Sequence, residues 1–421
     1  MTEKLRAGAG DTFRSLRIRN FRLFFFGQLI SQTGTWLTMV TLTLLVLDLT
    51  DSGVAIGLLT ATMFGPVLVL GAWAGSLADR SDKHRLLIVA QTAAMVQSLI
   101  LAAVVFAGIE SLPVIYGLAA MSGVITSFDN PARRAFVVEM VPEAMMPIAV
   151  SLNSALMTGA RVIGPAAGGL LVVTVGYGWA FLIDGLSYLA VLYGLLAMDR
   201  SELRPAELVA RGRGQVREGV RYVRRTPVLG VPLVMMAVIG TFAFNFSVTI
   251  PLLVTGPLHS GEGMFTVLFS VLSVGSMVGA LWTARRTDVT NHQIVVAAVA
   301  FGGTMIALAA VPALWAAFPV AVLLGAASIT FMTTSTAIVQ MRAAPELRGR
   351  VLALQSVVFL GSTPIGGPIV GWIADAFGAR AAVLLGGVAC LAAAAWAQRA
   401  LAGRTGRSDE PAVEPALTLA D

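Results

Sequence analysis

Charge is scarce in this chain. Only 12 % of its 421 residues are Asp, Glu, Lys or Arg, against about 25 % in soluble domains. Cysteine is nearly absent. The one residue, Cys390, excludes an intramolecular disulfide and a cysteine-built metal cluster. Of the three histidines, His84 and His259 fall in loops and His292 near a span end, which excludes a buried histidine proton relay. No Gly-x-x-x-x-Gly-Lys-Ser/Thr loop occurs, so nucleotide-driven transport lacks its phosphate cradle. No nucleophile stands beside a base in a catalytic spacing. The sequence therefore points away from an enzyme and implies neither a cofactor nor a metal. The 29 Lys and Arg exceed the 23 acids, which raises nucleic acid as a partner. The bases, however, lie in short loops between apolar runs, a pattern that membrane topology explains without nucleic acid.

What is abundant is apolar length. Hydrophobic residues make up 57 % of the chain and the mean hydropathy is +0.82. A chain this apolar needs lipid as its solvent. Twelve runs read as spans: 21–48, 53–78, 86–108, 112–137, 145–173, 177–198, 228–254, 263–284, 293–311, 314–340, 348–374 and 379–400. Runs of about 20 residues cross a hydrocarbon core as helices, which satisfy their own backbone groups. The fold class expected is an all-α membrane protein of twelve transmembrane helices. The run from Phe21 is long enough to stay as a span, so no cleavable signal is expected.

The loops sort by charge. One set holds "DRSDKHR", the 199–227 segment, "RRTD", "RAAPELRGR" and both termini; the other contains a single base, Arg380. The positive-inside rule places the first set and both termini in the cytoplasm of a bacterial inner membrane. The 199–227 segment divides the chain into an amino-terminal half, 1–198, and a carboxyl-terminal half with its tail, 228–421. Within the divider Val216, Val220 and Val223 fall at helical spacing, so part of it reads as a basic amphipathic helix on anionic membrane lipids.

The halves repeat. At an offset of 203, Pro142, Glu143, Gly164, Pro165 and Gly168 fall on Pro345, Glu346, Gly367, Pro368 and Gly371 without a gap. Gly71 and Gly75 fall similarly on Gly275 and Gly279, while Thr283 stands where Asp79 would be. Repeats of this kind build transporters whose site lies between the halves.

These residues resemble the major facilitator superfamily over nearly the whole chain. The turn after the second span carries Gly75, Asp79, Arg80, Asp82 and Lys83 in the pattern of that family's cytoplasmic motif, with Asp82 and Lys83 replacing its Gly and Arg. Gly164, Pro165, Gly168 and Gly169 match the Gly-Pro motif of its antiporter branches, with Ala160 in place of the first Gly. "NPARRAFVVEMVPE" and "LNSALMTGARVIGPAAGG" are similar to the twelve-span branch of siderophore exporters and drug pumps. The resemblance implies two pseudo-symmetric six-helix halves and a proton-coupled exporter of bulky amphiphilic small molecules. It also implies that Asp79 faces the start of the eleventh helix, where a carboxylate is favoured by the helix dipole. Lys83 and Arg85 are then expected to pair with Glu139, with Arg348 as a further base, forming a latch between the halves. A lipid or lysophospholipid transporter of the same fold, and a non-transporting membrane sensor, are the alternatives.

Charges inside spans are expensive and mark function. Asp129, Arg133, Arg161 and Asp184 are the proton-coupling candidates, and the first three are expected to form one cluster. Asp129 and Arg133 stand i, i+4 on one helix face. Gln28, Gln32, Trp36, Asn245, Phe246, Gln340 and Gln355 are the candidate cavity lining, suited to a mixed apolar and polar ligand. The expected partners are that small molecule, protons and membrane lipids, and the chain is expected to act as a monomer.

Overall fold

The computed structural model describes residues 14–204, 215–284 and 290–402. Among them there is no strand, and twelve helical segments are long and apolar enough to cross a membrane. The amino-terminal half holds α1 (Arg19–Thr50), α2 (Gly53–Arg80), α3 (Lys83–Phe106), α4 (Leu112–Glu139), α5 (Met146–Val175) and α6 (Tyr177–Leu196). A short helix α7 (Gln215–Arg225) follows. The carboxyl-terminal half holds α8 (Pro227–Phe242), α9 (Phe246–Thr255), α10 (Glu262–Ala284), α11 (Asn291–Ala310), α12 (Leu314–Arg342), α13 (Pro345–Phe377) and α14 (Ala379–Ala402). The two halves are pseudo-symmetric six-span bundles. The end where α1 starts and α14 finishes is termed the near end, and the opposite one the far end.

Local chemistry sets the helix limits. Ser52 Oγ accepts from the Ala55 N–H at the start of α2, and Asp82 Oδ1 from the Arg85 N–H at 3.1 Å at the start of α3. The hairpins α5–α6 and α13–α14, which occupy equivalent places in the repeat, both turn on a glycine with positive φ: Gly176 at 91° and Gly378 at 89°. An L side chain is strained there. Large apolar side chains such as Val69, Leu170 and Trp315 face outward, an arrangement that lipid tolerates and water does not.

The seventh span departs from the single helix expected over 228–254. It breaks at Ala243–Asn245, between α8 and α9. Neither Pro nor Gly stands at the break. Instead the Asn245 Nδ2 donates to the Thr241 carbonyl at 2.7 Å, replacing a ladder bond, while the Asn245 carbonyl accepts from the N–H groups of Val248 and Thr249. The freed segment α9 crosses the boundary between halves: Val248 packs with Leu42, Leu45 and Ile56. In return Val40 and Leu44 of α1 pack into the large carboxyl-terminal core around Phe265, Phe301 and Phe331.

Helix α7 docks on the carboxyl-terminal half. Tyr222 Oη accepts from the Ala344 N–H at 3.1 Å, and Val223 is buried with Leu229, Val339, Ala343 and Val351. Arg221, Arg224 and Arg225 remain exposed on its other face. The side chain of Val216 lies outside the described residues.

Candidate functional site

The site is the boundary between the halves, and it is asymmetric. Gly57, Leu68, Gly71 and Gly75 share one face of α2, since 11, 14 and 18 residues from Gly57 are whole numbers of turns to within about 40°. A Cβ on Gly57 would lie 2.7 Å from Pro368 Cα of α13, and Leu68 Cδ1 lies 2.8 Å from where a Cβ on Gly361 would stand. Closer to the near end the same face is vacant: a Cβ on Gly71 or Gly75 would meet nothing within 4 Å. Helices α5 and α10 also meet toward the far end, Gly169 against Thr266 and Gly263 against Val173. Among the described residues, these close contacts between the halves run from the far end to about mid-depth.

At the far end a carboxylate that the sequence reading did not select closes the boundary. Asp375, near the end of α13, accepts from Ser52 Oγ at 2.8 Å, the Gly53 N–H at 2.6 Å and the Val54 N–H at 3.0 Å. It thus caps the N-terminus of α2 from the other half, where orphan N–H groups and the helix dipole favour an anion. The signal available was weak: Asp375 is one of four acids in the base-poor set of loops, with Asp51, Glu110 and Glu262.

Of the near-end charges, Lys83 Nζ stands 2.7 Å from Glu139 Oε1, both buried. This pair joins the start of α3 to the end of α4, within one half, so it is no bond between halves. Arg85 does not pair with Glu139; it meets Asp82 at 3.3 Å in an exposed contact. Arg80 and Arg348 are exposed. Asp79 falls in the last turn of α2, and its side chain lies outside the described residues.

The intramembrane charges divide into separate sites. Asp129 Oδ1 accepts from Gln91 Nε2 at 2.7 Å, and Oδ2 faces Arg133 Nε at 3.3 Å. Ser31 Oγ donates to Gln91 Oε1, and Arg133 also donates to Asn130 Oδ1 and to Met157 Sδ. Helices α1, α3, α4 and α5 thus converge on one buried ion pair. Asp184 lies in a second network: its Oδ2 accepts from Thr38 Oγ1 at 2.6 Å and from Ser98 Oγ at 2.9 Å, and Gly34 leaves room for it. Arg161 joins neither, which corrects the expectation of a three-charge cluster. Its guanidinium lies over the Trp36 ring, 5.2 Å from the centroid. Arg133 reaches α5 at Met157, one turn closer to the near end than Arg161, so the two arginines sit at different depths.

The Gly-Pro stretch forms the seam between α5 and α1. A Cβ on Gly164 would lie 2.5 Å from Trp36 Cβ and 2.7 Å from the Thr33 carbonyl oxygen, and one on Gly168 3.2 Å from the Leu37 carbonyl oxygen. Pro165 is buried in the same seam. The candidate lining is not gathered on one surface in this state. Gln28, Gln32, Asn245, Phe246 and Gln355 are buried. Phe246 belongs to the carboxyl-terminal core and Gln355 Nε2 donates to Ser335 Oγ and Thr336 Oγ1. Trp36 and Gln340 keep accessible surface.

Residues 10–415 match the family of transmembrane secretion effectors. The chain belongs to that family, within the major facilitator superfamily. It is 26 % identical over 381 residues to the multidrug efflux pump Tap of Mycolicibacterium fortuitum, covering 86 % of this chain and 91 % of Tap. It is 23 % identical over 271 residues to the staphyloferrin A transporter of Staphylococcus aureus, a match that spans 62 % of this chain and 66 % of that transporter. In fold it is similar to a bacterial homologue of the lysosomal transporter Spinster in an inward-facing, occupied conformation. There the TM-score is 0.72 at 16 % identity, over 91 % of this chain and 97 % of that one. The fold and family are those of membrane transporters that move small molecules.

Proposed function

We propose that this transporter exports bulky amphiphilic small molecules, drug-like or siderophore-like, in exchange for protons by alternating access. On this reading it works as a monomer in a bacterial inner membrane with the near end in the cytoplasm. The vacant stretch of α2 at Gly71 and Gly75, on the same face that packs at Gly57 and Leu68, carries the reading: among the described residues the boundary between halves is closely packed toward one end and vacant toward the other. A rocking pair of halves with a site between them needs such a state. The complementary state would close the near end through Asp79 at the start of α13, with Arg80 and Arg348 beside it. The relatives support the cargo class, one being a drug pump and one a siderophore transporter.

In this scheme Asp129 exchanges the proton. It is a buried acid whose charge is balanced by Arg133, so occupancy and access can shift that balance. The test is uptake into everted vesicles under an imposed pH gradient, across a panel of cationic dyes, fluoroquinolones and metal-free siderophores. Gradient-dependent uptake of at least one compound is expected, lost in Asp129→Asn with binding retained. Uptake unaffected by collapsing the gradient would exclude proton antiport.

A further inference from the structure

Arg161 stands midway along α5, 15 residues from Met146 and 14 from Val175. At 1.5 Å per residue that is roughly 20 Å from either end, farther than an Arg side chain can snorkel. A guanidinium keeps its charge there, and a charge at this depth needs a partner or a use. The intramembrane carboxylates of this half are engaged elsewhere. Asp129 is taken by Gln91 and Arg133, and Asp184 by Thr38 and Ser98. Among the described residues no carboxylate lies within 4 Å of Arg161.

The surroundings are built and accessible. The Trp36 ring lies under the guanidinium, where its π-face stabilises the cation without occupying the planar N–H fork. Gly164, one turn on, packs against Trp36 Cβ and so fixes that ring. Exposed Ser154 and partly exposed Thr158 precede Arg161 by seven and three residues, forming a polar stripe on α5. Ile163 and Leu170 are exposed on the opposite face, the one suited to lipid. The polar stripe accordingly belongs to the parted boundary between the halves.

We infer that Arg161, seated on Trp36, is an anion-recognition site that receives a carboxylate of the transported molecule. The cargo would then be an organic acid whose apolar body lies along Trp36 while its carboxylate takes the guanidinium fork. The inference builds on the transporter reading, since it needs a ligand entering between the halves, but not on proton coupling.

The test uses 1-naphthoate and 1-naphthamide, which share a ring system and differ in charge. Thermal unfolding of the purified full chain in detergent is followed against ligand concentration, because a ligand that binds the folded state raises the midpoint by mass action. The expected result is a preference for naphthoate of about 10- to 100-fold, the factor carried by charge-assisted hydrogen bonds. Arg161→Gln should abolish the preference. Arg161→Lys should keep part of it, because the charge remains and the fork is lost. Trp36→Leu, which keeps the charge and removes the platform, should reduce it. Naphthoate no better than naphthamide up to about 10 mM, with a null effect of both included, overturns the site. So does an unchanged preference in Arg161→Gln. Absence of gradient-driven export in vesicles alongside an intact naphthoate preference would remove the antiport reading and leave the anion site standing.

Discussion

Replacing Asp375 with Ala removes three hydrogen bonds that join the halves at the far end. Two come from backbone N–H groups of the first turn of α2, so Asp375 acts as an N-cap supplied by another helix. Losing a cap costs about 0.5–2 kcal/mol, and losing an anion at a helix N-terminus about 0.3–1 kcal/mol. Asp375 is exposed, so water competes for its carboxylate and the sum belongs in the lower half of the combined range of about 0.8–3 kcal/mol, about 1.5 kcal/mol. In the state open at the far end this contact does not exist, while Ser52 still caps α2. The whole difference therefore falls on the equilibrium between states, a shift of about tenfold. Spin labels at Ile109→Cys and Trp315→Cys, exposed far-end positions in opposite halves, would read it as a distance distribution by pulsed dipolar spectroscopy. The native Cys390 is fully buried and can stay. Asp375→Ala should enlarge the long-distance population about tenfold, and Ser52→Ala should do so less. Identical distributions in wild type and Asp375→Ala would show that this contact does not hold the far end.

Gly164→Leu should lower the unfolding midpoint and impair transport, because overpacking the α1–α5 seam costs about 1–3 kcal/mol. Gly159→Leu, where a Cβ would meet nothing within 4 Å, should be far milder; equal damage from both would show that the seam is not the cause. Glu139→Gln should destabilise by about 3 kcal/mol by leaving the buried Lys83 ammonium without this carboxylate, and Lys83→Met should destabilise as well. The double variant should recover much of that in the same melting assay. Asn245→Ala should loosen the α8–α9 break, since the Thr241 carbonyl loses its side-chain donor; faster amide exchange at Val248 and Thr249 would report it.

Much of the architecture was legible along the chain. Twelve apolar runs dictate twelve spans because lipid admits only backbone that satisfies itself within each segment. The i, i+4 spacing of Asp129 and Arg133 carried their contact, since both stand on one helix face. Lys83 and Glu139 were legible as partners because each sits at a helix end on the same side of the membrane. The capping by Asp375 was not, because its partners lie 321 to 323 residues away and only the closure of the halves brings them together. The break at Ala243–Asn245 was hidden too: without Pro or Gly it depends on one amide turning back to a carbonyl. Arg161 shows the limit most plainly. Its sequence position sets its depth in the bilayer, and the apolar surroundings make that depth costly. Which partner it meets depends on how α5 is rotated against α1, and that rotation is decided by close packing of Gly164 on Trp36.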